Sequence, residues 1–311
     1  MTLSAGHAHV GATSPEGITM ASRRRWPTRS AAVLVSAITL VTGLLPAPPA
    51  VAANAVFQAA TLNILNSLTR ADFVSDLELI TSKADLVGLN EVGERKAYLQ
   101  DWAAANGWWL YAPEPTSAAQ EALLAKKSMF DVVDKGSVFV CDTNGPGEVP
   151  PARYNNWVQY RHKASGRNVI HINAHLNASI ESNGRPEDLP RTRCAEEQIQ
   201  HIKNLAVDKN DEGQVIVSGD LNIDFSADRA YGYEKFPWKV FEANSLPNLR
   251  SVFNLYGEKG TGTHTSGRHI DYIYFWKRVP EHQVMWMTDY SIVGGTKSDH
   301  NGVVATFAIQ M

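Results

Sequence analysis

The chain has 311 residues, of which 44% are hydrophobic and 20% are charged, and its formal net charge is −3. This length accommodates one large domain or two medium ones. The mildly acidic balance argues against a stable non-specific nucleic-acid-binding module, which usually carries a basic face. Any contact of this chain with phosphate groups is therefore expected to be local.

The first fifty-odd residues have the layout of a secretory signal peptide. Four arginines precede the apolar run 31–45, and a segment rich in Pro and Ala follows it. A transmembrane helix needs about 20 apolar residues, and this run is shorter. We therefore predict a leader over residues 1–53, cleaved after Ala52 or Ala55, and a secreted protein with no stable membrane association after cleavage. An uncleaved anchor, a true start at Met20 and twin-arginine instead of Sec export are the alternatives.

Apolar patterns after the leader predict alternating strands and helices. Residues 56–65 suit a strand, residues 71–83 carry apolar side chains at helical spacing, and residues 86–89 form a second strand. Residues 97–106 follow as a helix, and the aromatic run 108–111 has the composition of a buried strand.

Strands dominate the rest of the chain. Residues 122–140 contain two strand-like runs, and the segment that reaches His175 reads as a hairpin turning at Ser165-Gly166. A helix over about 192–207 and a buried strand over 214–218 follow. Three further strand candidates complete the chain: HIDYIYF, HQVMWMT and GVVATFAI.

This succession predicts an α/β sandwich, in which two mostly antiparallel sheets pack face to face with helices outside. The pattern leaves the strand order open. Polar residues of interest run from position 63 to position 300. We therefore predict one large domain over residues 54–311, and we expect it to be a monomer.

The two cysteines of the chain are Cys141 and Cys194. In an exported protein, an oxidising compartment favours joining them in a structural disulfide. Two buried free thiols are the alternative. A zinc site is not favoured, because neither cysteine has a second Cys or a His at ligand spacing.

Five short polar islands each end an apolar run of strand type. They contain Asn63, Glu91, His175, Asp220 with Asn222, and Asp299 with His300. A sheet would bring these side chains to one rim, where carboxylates, amides and imidazoles bind a hard divalent cation and a phosphate. In order and content the islands resemble the endonuclease/exonuclease/phosphatase superfamily, as a deoxyribonuclease I-like, secreted bacterial member. The resemblance covers nearly all of the chain beyond the leader and implies a four-layer α/β sandwich.

Carboxylate oxygens at the end of a strand suit magnesium or manganese better than zinc. The resemblance makes Glu91 the principal metal ligand, places Asn63 beside the metal and turns Asp299 toward it. Mg²⁺ is the expected cofactor, with Mn²⁺ or Ca²⁺ as alternatives. Taken alone, Glu91 would be interpreted as a solvated residue at a strand end. Asn90 stands where the family often has Gln.

Two groups are predicted to handle the water and its proton. Gly219 allows a tight bend before Asp220, and Asp220 and Asn222 on extended backbone would point the same way and orient a water or a phosphate oxygen. Asp271 lies among apolar residues and needs a partner. The resemblance pairs it with His300 as a general base, against the alternative of a structural salt bridge.

The resemblance assigns two further residues to contacts with the phosphate, and a third to supporting one of them. His175 would donate a proton or hydrogen bond to the phosphate or the leaving oxygen, backed by Glu121. Arg153 would clamp a phosphate, against the alternative of a surface salt bridge.

Together these predictions describe a secreted, divalent-metal-dependent phosphoesterase, and a nuclease acting on DNA or RNA is preferred. Two alternatives remain. One is a phosphatase or a sphingomyelinase or phospholipase C-like phosphodiesterase, and the other is a non-catalytic surface protein on the same fold. The short span between Asp271 and Asp299 leaves little room for the membrane-inserting hairpin of secreted sphingomyelinases.

Overall fold

The computed structural model describes residues 54–143, 152–243 and 248–311, so the predicted leader lies outside the described residues. The strands in chain order are β1 Ala55–Asn63, β2 Leu86–Asn90, β3 Trp108–Tyr111, β4 Ala122–Lys126, β5 Phe130–Cys141, β6 Arg153–His162, β7 Asn168–His175, β8 Glu181–Ser182, β9 Arg185–Pro186, β10 Gln214–Asp220, β11 Leu249–Ser251, β12 Asp271–Trp276, β13 Met285–Val293 and β14 Gly302–Ile309. The α-helices are α1 Arg70–Thr81, α2 Lys96–Ala105, α3 Pro190–Asn210, α4 Phe225–Tyr231 and α5 Val252–Tyr256.

The strands form two six-stranded sheets and one small ribbon. The first sheet has the order β13-β14-β1-β2-β4-β3, and the second has the order β11-β12-β10-β7-β6-β5. Only β1 with β2 and β7 with β10 pair in parallel among these described strands, so both sheets are mostly antiparallel. The predicted fold class is confirmed. β8 and β9 pair as a separate ribbon.

The space between the sheets contains apolar side chains and several buried polar contacts. Phe57 of β1 stacks on Phe307 of β14 with ring centroids 5.4 Å apart, within a cluster that also includes residues of the second sheet. Apolar burial of this kind is the main stabilising term of a sandwich. Deeper in the molecule, Ser218 Oγ lies 2.7 Å from His171 Nε2 and donates to Asn173 Oδ1 at 3.1 Å.

The helices begin where local chemistry favours it. Thr69 caps α1, because its side chain accepts a hydrogen bond from the amide of Asp72. Pro190 stands at the first position of α3, where a missing N–H costs nothing. No described helix combines the length and the hydropathy needed to cross a bilayer.

The predicted disulfide is present and joins Cys141 of β5 to Cys194 of α3. The strand predicted at 108–111 is present as β3, but the prediction that it is buried was wrong for three of its four residues. Trp108 is buried, but Trp109 is 38% exposed, because β3 is the edge strand of its sheet.

Candidate active site

Strand register brings the predicted residues of the second sheet together. Asp220, at the end of β10, lies opposite His175 in parallel β7 and opposite Asp271 in antiparallel β12. In the first sheet, Asn63 at the end of β1 lies opposite Asn90 of β2. The strand ends of both sheets therefore place polar side chains at the same end of the sandwich.

The best-formed contact of the site is a buried carboxylate–imidazole pair. His300 Nδ1 lies 2.9 Å from Asp271 Oδ2, and Asp271 is completely buried. The other ring nitrogen of His300 lies 3.8 Å from Asp220 Oδ2 and 3.9 Å from Asp299 Oδ1. Asp271 thus fixes the ring so that Nε2 faces the carboxylates of the rim.

These charges shift each other's protonation. Burial alone would lower the pKa of His300, but the carboxylates of Asp271, Asp220 and Asp299 raise it to about 10. Burial alone would raise the pKa of Asp220, but the imidazoles of His300 and His175 and a hydrogen bond from Asn63 hold it below its usual range. Without a bound cation, the carboxylates of the site therefore favour the protonated form of His300.

A backbone anchor fixes the loop before His300. The amides of Lys297 and Ser298 donate to the buried carboxylate of Asp76 in α1, at 2.7 to 2.9 Å. Ser298 Oγ donates to the carbonyl of Asn63 at 2.7 Å and accepts from the amide of His300 at 3.1 Å. The position of His300 therefore depends on both α1 and β1.

Asn63 links two carboxylates across the sheets. Its Nδ2 donates to Glu91 Oε1 and to Asp220 Oδ2, each at 3.0 Å. The amide of Asn66 donates to the other oxygen of Glu91 at 3.1 Å. Leu65 and Glu91 both have left-handed backbone, with φ of 44° and 60°. Such conformations are costly for these residue types and cluster at functional sites.

The guanidinium of Arg95 holds this left-handed turn. Its Nη2 donates to the carbonyls of Leu65 and Glu91 at 3.0 and 2.9 Å, and its Nε donates to the carbonyl of Val92 at 2.9 Å. The same group lies over the ring of Phe73, 4.2 Å from its centroid. Arg95 thus ties the Asn63 loop to the Glu91 loop.

The backbone prediction for Asn222 was wrong, although its side chain does reach the rim. Asn222 has φ of 53°, and its amide donates to Asp220 Oδ1 at 2.9 Å, so the two residues form a turn and not an extended pair. Asn222 Nδ2 lies 3.2 Å from Asp220 Oδ2 and 3.4 Å from His175 Nε2. His175 Nε2 is 3.5 Å from the same Asp220 oxygen.

The predicted pairing of Glu121 with His175 is not formed within the described residues. Glu121 is buried, and burial raises its pKa well above the usual value while the charge of Arg153 opposes the shift. Burial lowers the pKa of Arg153, and the charges of Glu121 and Asp220 oppose this. Arg153 is only 7% exposed, so it is a buried group facing the site and not a surface salt bridge.

The predicted ligands fit a hard divalent cation. Glu91 and Asp220 offer carboxylate oxygens on either side of Asn63, and the Asp299 carboxylate, which is 44% exposed, lies near the same nitrogen of His300 as Asp220 does. Asp220, Asp271 and His300 also form a buried group with ligand atoms within 4.8 Å of one another. Asp271 is fully buried and bonded to His300, so Glu91, Asp220 and Asp299 are the better donors for such an ion.

Besides Arg95 and Ser298, three residues of the site were not predicted from the sequence. Asn90 spans the two sheets, because its Nδ2 donates to the carbonyl of Ala174 at 3.2 Å and its Oδ1 accepts from the amide of Asp220 at 3.0 Å. Asp76 anchors the loop of His300, and His264 lies beside Asp299. An acid inside an apolar helix face was the available signal for Asp76. Asn90 was noticed only as a replacement for Gln.

A search of curated protein sequences gave no significant match. The model of the Endonuclease/Exonuclease/phosphatase family matches residues 60–300.

Solved structures share the fold. The human Nocturnin catalytic domain with bound sulfate has a TM-score of 0.57 at 15% identity, covering 83% of this chain and 98% of that one. D. rerio TDP2 complexed with a single-strand DNA product has a TM-score of 0.58 at 16% identity, covering 81% and 98%. A Bacteroides thetaiotaomicron mannosyl-6-phosphatase has a TM-score of 0.56 at 19% identity, covering 81% and 99%. The family match over most of the chain is decisive: the protein belongs to the endonuclease/exonuclease/phosphatase family and is a phosphoesterase of that family.

Proposed function

We propose that the chain is a secreted, monomeric, divalent-metal-dependent nuclease that hydrolyses DNA or RNA phosphodiesters by in-line attack of water. The observation that carries this proposal is the buried Asp271–His300 pair, which faces the same oxygen of Asp220 as His175 does. Two imidazoles are thus available beside one carboxylate, where a phosphate would bind. Hydrolysis of a diester needs a base for the water and a donor for the leaving oxygen.

The roles follow from the contacts. Asp271 holds His300 Nδ1, which leaves Nε2 to accept the proton of the attacking water, while Asp220 orients that water. His175 and Asn222 present nitrogen atoms near Asp220, where they donate to the phosphoryl or leaving oxygen. Glu91 and Asp299 would hold a divalent cation, whose charge would polarise the phosphoryl oxygens and offset the negative charge that raises the pKa of His300.

A groove beside Glu91 favours a polymeric substrate over a small phosphomonoester. It has a volume of about 760 Å³ and is lined by Asn66, Leu68, Arg70, Gly93, Glu94, Arg95, Ala97, Tyr98 and Gln120. The guanidinium of Arg70 lies over the ring of Tyr98, 4.4 Å from its centroid. Such a pair suits a phosphate and base next to the scissile bond. TDP2, a member of the same fold, holds a single-strand DNA product in its own structure.

A membrane lipid is the less favoured substrate. Secreted sphingomyelinases carry an exposed hydrophobic hairpin late in the chain, whereas here only residues 277–284 separate β12 from β13. This segment is a short connection containing one 3₁₀ turn, Pro280–His282.

Export is supported by two features. The basic and apolar layout of the first fifty-odd residues is that of a signal peptide, and the disulfide between Cys141 and Cys194 is of a kind that persists in oxidising compartments. β1 begins at Ala55, so cleavage after Ala52 would leave this strand whole.

The test is the release of acid-soluble nucleotides from duplex DNA, single-stranded DNA and RNA by residues 53–311, with Mg²⁺ and with EDTA. We expect cleavage that requires Mg²⁺ and is lost in His300→Ala. His201→Ala is the matched control, because His201 is an exposed imidazole of α3. Inactivity on all three polymers would reject the nuclease, and hydrolysis of small phosphate monoesters by the same protein would establish a phosphatase instead.

A further inference from the structure

We propose that His264 is a third imidazole of the active site and that its Nε2–H binds the phosphoryl group of the substrate beside Asp299 and His300. The inference deepens the proposed function and rests on it for the class of ligand. His264 lies between Gly262 and Gly267, in the turn that precedes β12. No apolar run points to it, so sequence pattern does not mark it.

The backbone fixes His264 opposite His300. The two residues form an isolated antiparallel β-bridge. The amide of Thr265 donates to the carbonyl of Asp299 at 2.8 Å, and the amide of Asn301 donates to the carbonyl of Thr263 at 2.7 Å. Hydrogen bonds on both sides of His264 therefore hold it against the segment that carries Asp299 and His300.

The tautomer of His264 follows from one contact. The backbone amide of Ser266 donates to His264 Nδ1 at 3.0 Å, and Ser266 Oγ lies 2.7 Å from the same atom. A backbone N–H can only donate, so Nδ1 accepts and the proton of the neutral ring is on Nε2. His264 is thus prepared as a hydrogen-bond donor at Nε2. A metal ligand at this atom would need the opposite tautomer.

The donor faces the open side of the site. His264 Nε2 lies 3.5 Å from Asp299 Oδ2, and the rings of His264 and His300 are 4.8 Å apart at an angle of 69°. A separation of 3.5 Å is too long for a strong hydrogen bond, so the N–H keeps capacity for another acceptor. The side chains of His264 and Asp299 are 25% and 44% exposed, which leaves them accessible to a ligand.

The chemistry at this position is that of an oxyanion donor. Asp299 can only accept hydrogen bonds and cannot bind a phosphoryl oxygen directly. The nearby N–H of His264 supplies the hydrogen-bond donor that this oxygen needs. His175 and Asn222 approach Asp220 separately. Donors would thus contact the phosphate from two directions, which orients it for attack.

The test measures the binding of inorganic phosphate to the full chain, with Mg²⁺ and with EDTA, by calorimetry and by the ¹⁵N resonances of the histidine rings. His264→Phe keeps a ring against His300 but removes the donor, and His264→Gln restores an N–H. We expect phosphate to shift the His264 Nε2 resonance and His264→Phe to weaken phosphate binding roughly tenfold, as for one hydrogen bond to a charged group. His264→Gln should recover most of this loss. His201→Phe is the control and should bind as the wild type does.

Several outcomes would overturn the inference. One is unchanged phosphate affinity in His264→Phe with a folded protein, and another is the absence of phosphate binding by the wild type. A fall in turnover of the metal-loaded enzyme with unchanged phosphate affinity would mean that His264 acts through Asp299 as a positioning residue. Because phosphate binding needs no turnover, a chain that binds phosphate through His264 but cleaves no nucleic acid would reject the nuclease and leave this inference standing.

Discussion

Replacing Gly219 by Ala should damage stability and activity together. Gly219 has φ of 143°, and a Cβ at this position would lie 1.8 Å from the carbonyl oxygen of Ala174. That oxygen belongs to β7, which is paired on both sides, and it accepts a hydrogen bond from Asn90. Neither the oxygen nor β10 can retreat without breaking a sheet. The next residue is Asp220, so the displacement passes directly to the site.

The expected loss of unfolding free energy in Gly219→Ala has two contributions. Crowding in a packed interior costs about 1–3 kcal/mol. Unfavourable backbone for a residue with a Cβ costs roughly 1–2 kcal/mol more. We expect Gly219→Ala to lose about 2–5 kcal/mol of unfolding free energy, measured as a lower urea midpoint. A shift of about 1 Å at Asp220 should lower kcat/KM on the substrate roughly a hundredfold.

Two matched variants separate the parts. Gly166 has φ of 67° with no atom near its Cβ position, so Gly166→Ala bears the backbone cost alone. Gly88 has ordinary φ, but its Cβ would lie 2.5 Å from Ser218 Oγ and 2.6 Å from Asn173 Oδ1, so Gly88→Ala bears crowding alone. Gly219→Ala should be the most destabilised of the three. A midpoint equal to that of Gly166→Ala, with full activity, would refute the reasoning.

Three further predictions concern charge and position. Asp271→Asn should lower kcat roughly 10²–10⁴-fold with little change in KM, because His300 loses the carboxylate that orients it. Steady-state kinetics tests this, and a denaturation curve shows whether the variant is folded. Arg95→Met should weaken Mn²⁺ binding roughly 10–100-fold in calorimetry, because Arg95 no longer holds the turn that carries Glu91. If Arg95→Met causes an equal loss of Mn²⁺ binding in a Glu91→Gln background, Arg95 does not act through Glu91. Burial raises the pKa of Asp228 from 3.8 to about 7, so the folded protein binds more protons than the unfolded chain between these values. The stability contributed by the protonated carboxyl is therefore lost as pH rises from 4 to 7, by up to roughly 4 kcal/mol, and Asp228→Asn should flatten this slope in urea titrations.

The sequence predicted the sandwich and its strands because their apolar runs are long and punctuated by turns. It also pointed to Asp271, since an acid within an apolar strand requires a partner, and His300 is that partner. Local pattern could not give the backbone of Asn222 or the neighbour of Glu121. The first depends on a turn closed by Asp220 Oδ1, and the second depends on how β4 and β6 meet across the two sheets.

His264 shows why the remainder of the site could not be predicted. Its tautomer is set by Ser266 two residues away, but its direction is set by a β-bridge to His300, which is distant in the chain. A contact between a turn and a strand end has no periodic signature. Such residues become visible only when the register of both partners is known.

Asp220 explains why this site should be sensitive to both sheets. Asn63 and Asn90, which end neighbouring strands of the first sheet, donate to its carboxylate and accept from its amide. His175 and Asp271 flank it within the second sheet. Any shift of one sheet against the other therefore changes the distances from Asp220 to Glu91 and to His300 at once. Packing between the sheets then controls catalysis as well as stability, so core substitutions such as Gly88→Ala should lower turnover at temperatures well below the unfolding midpoint.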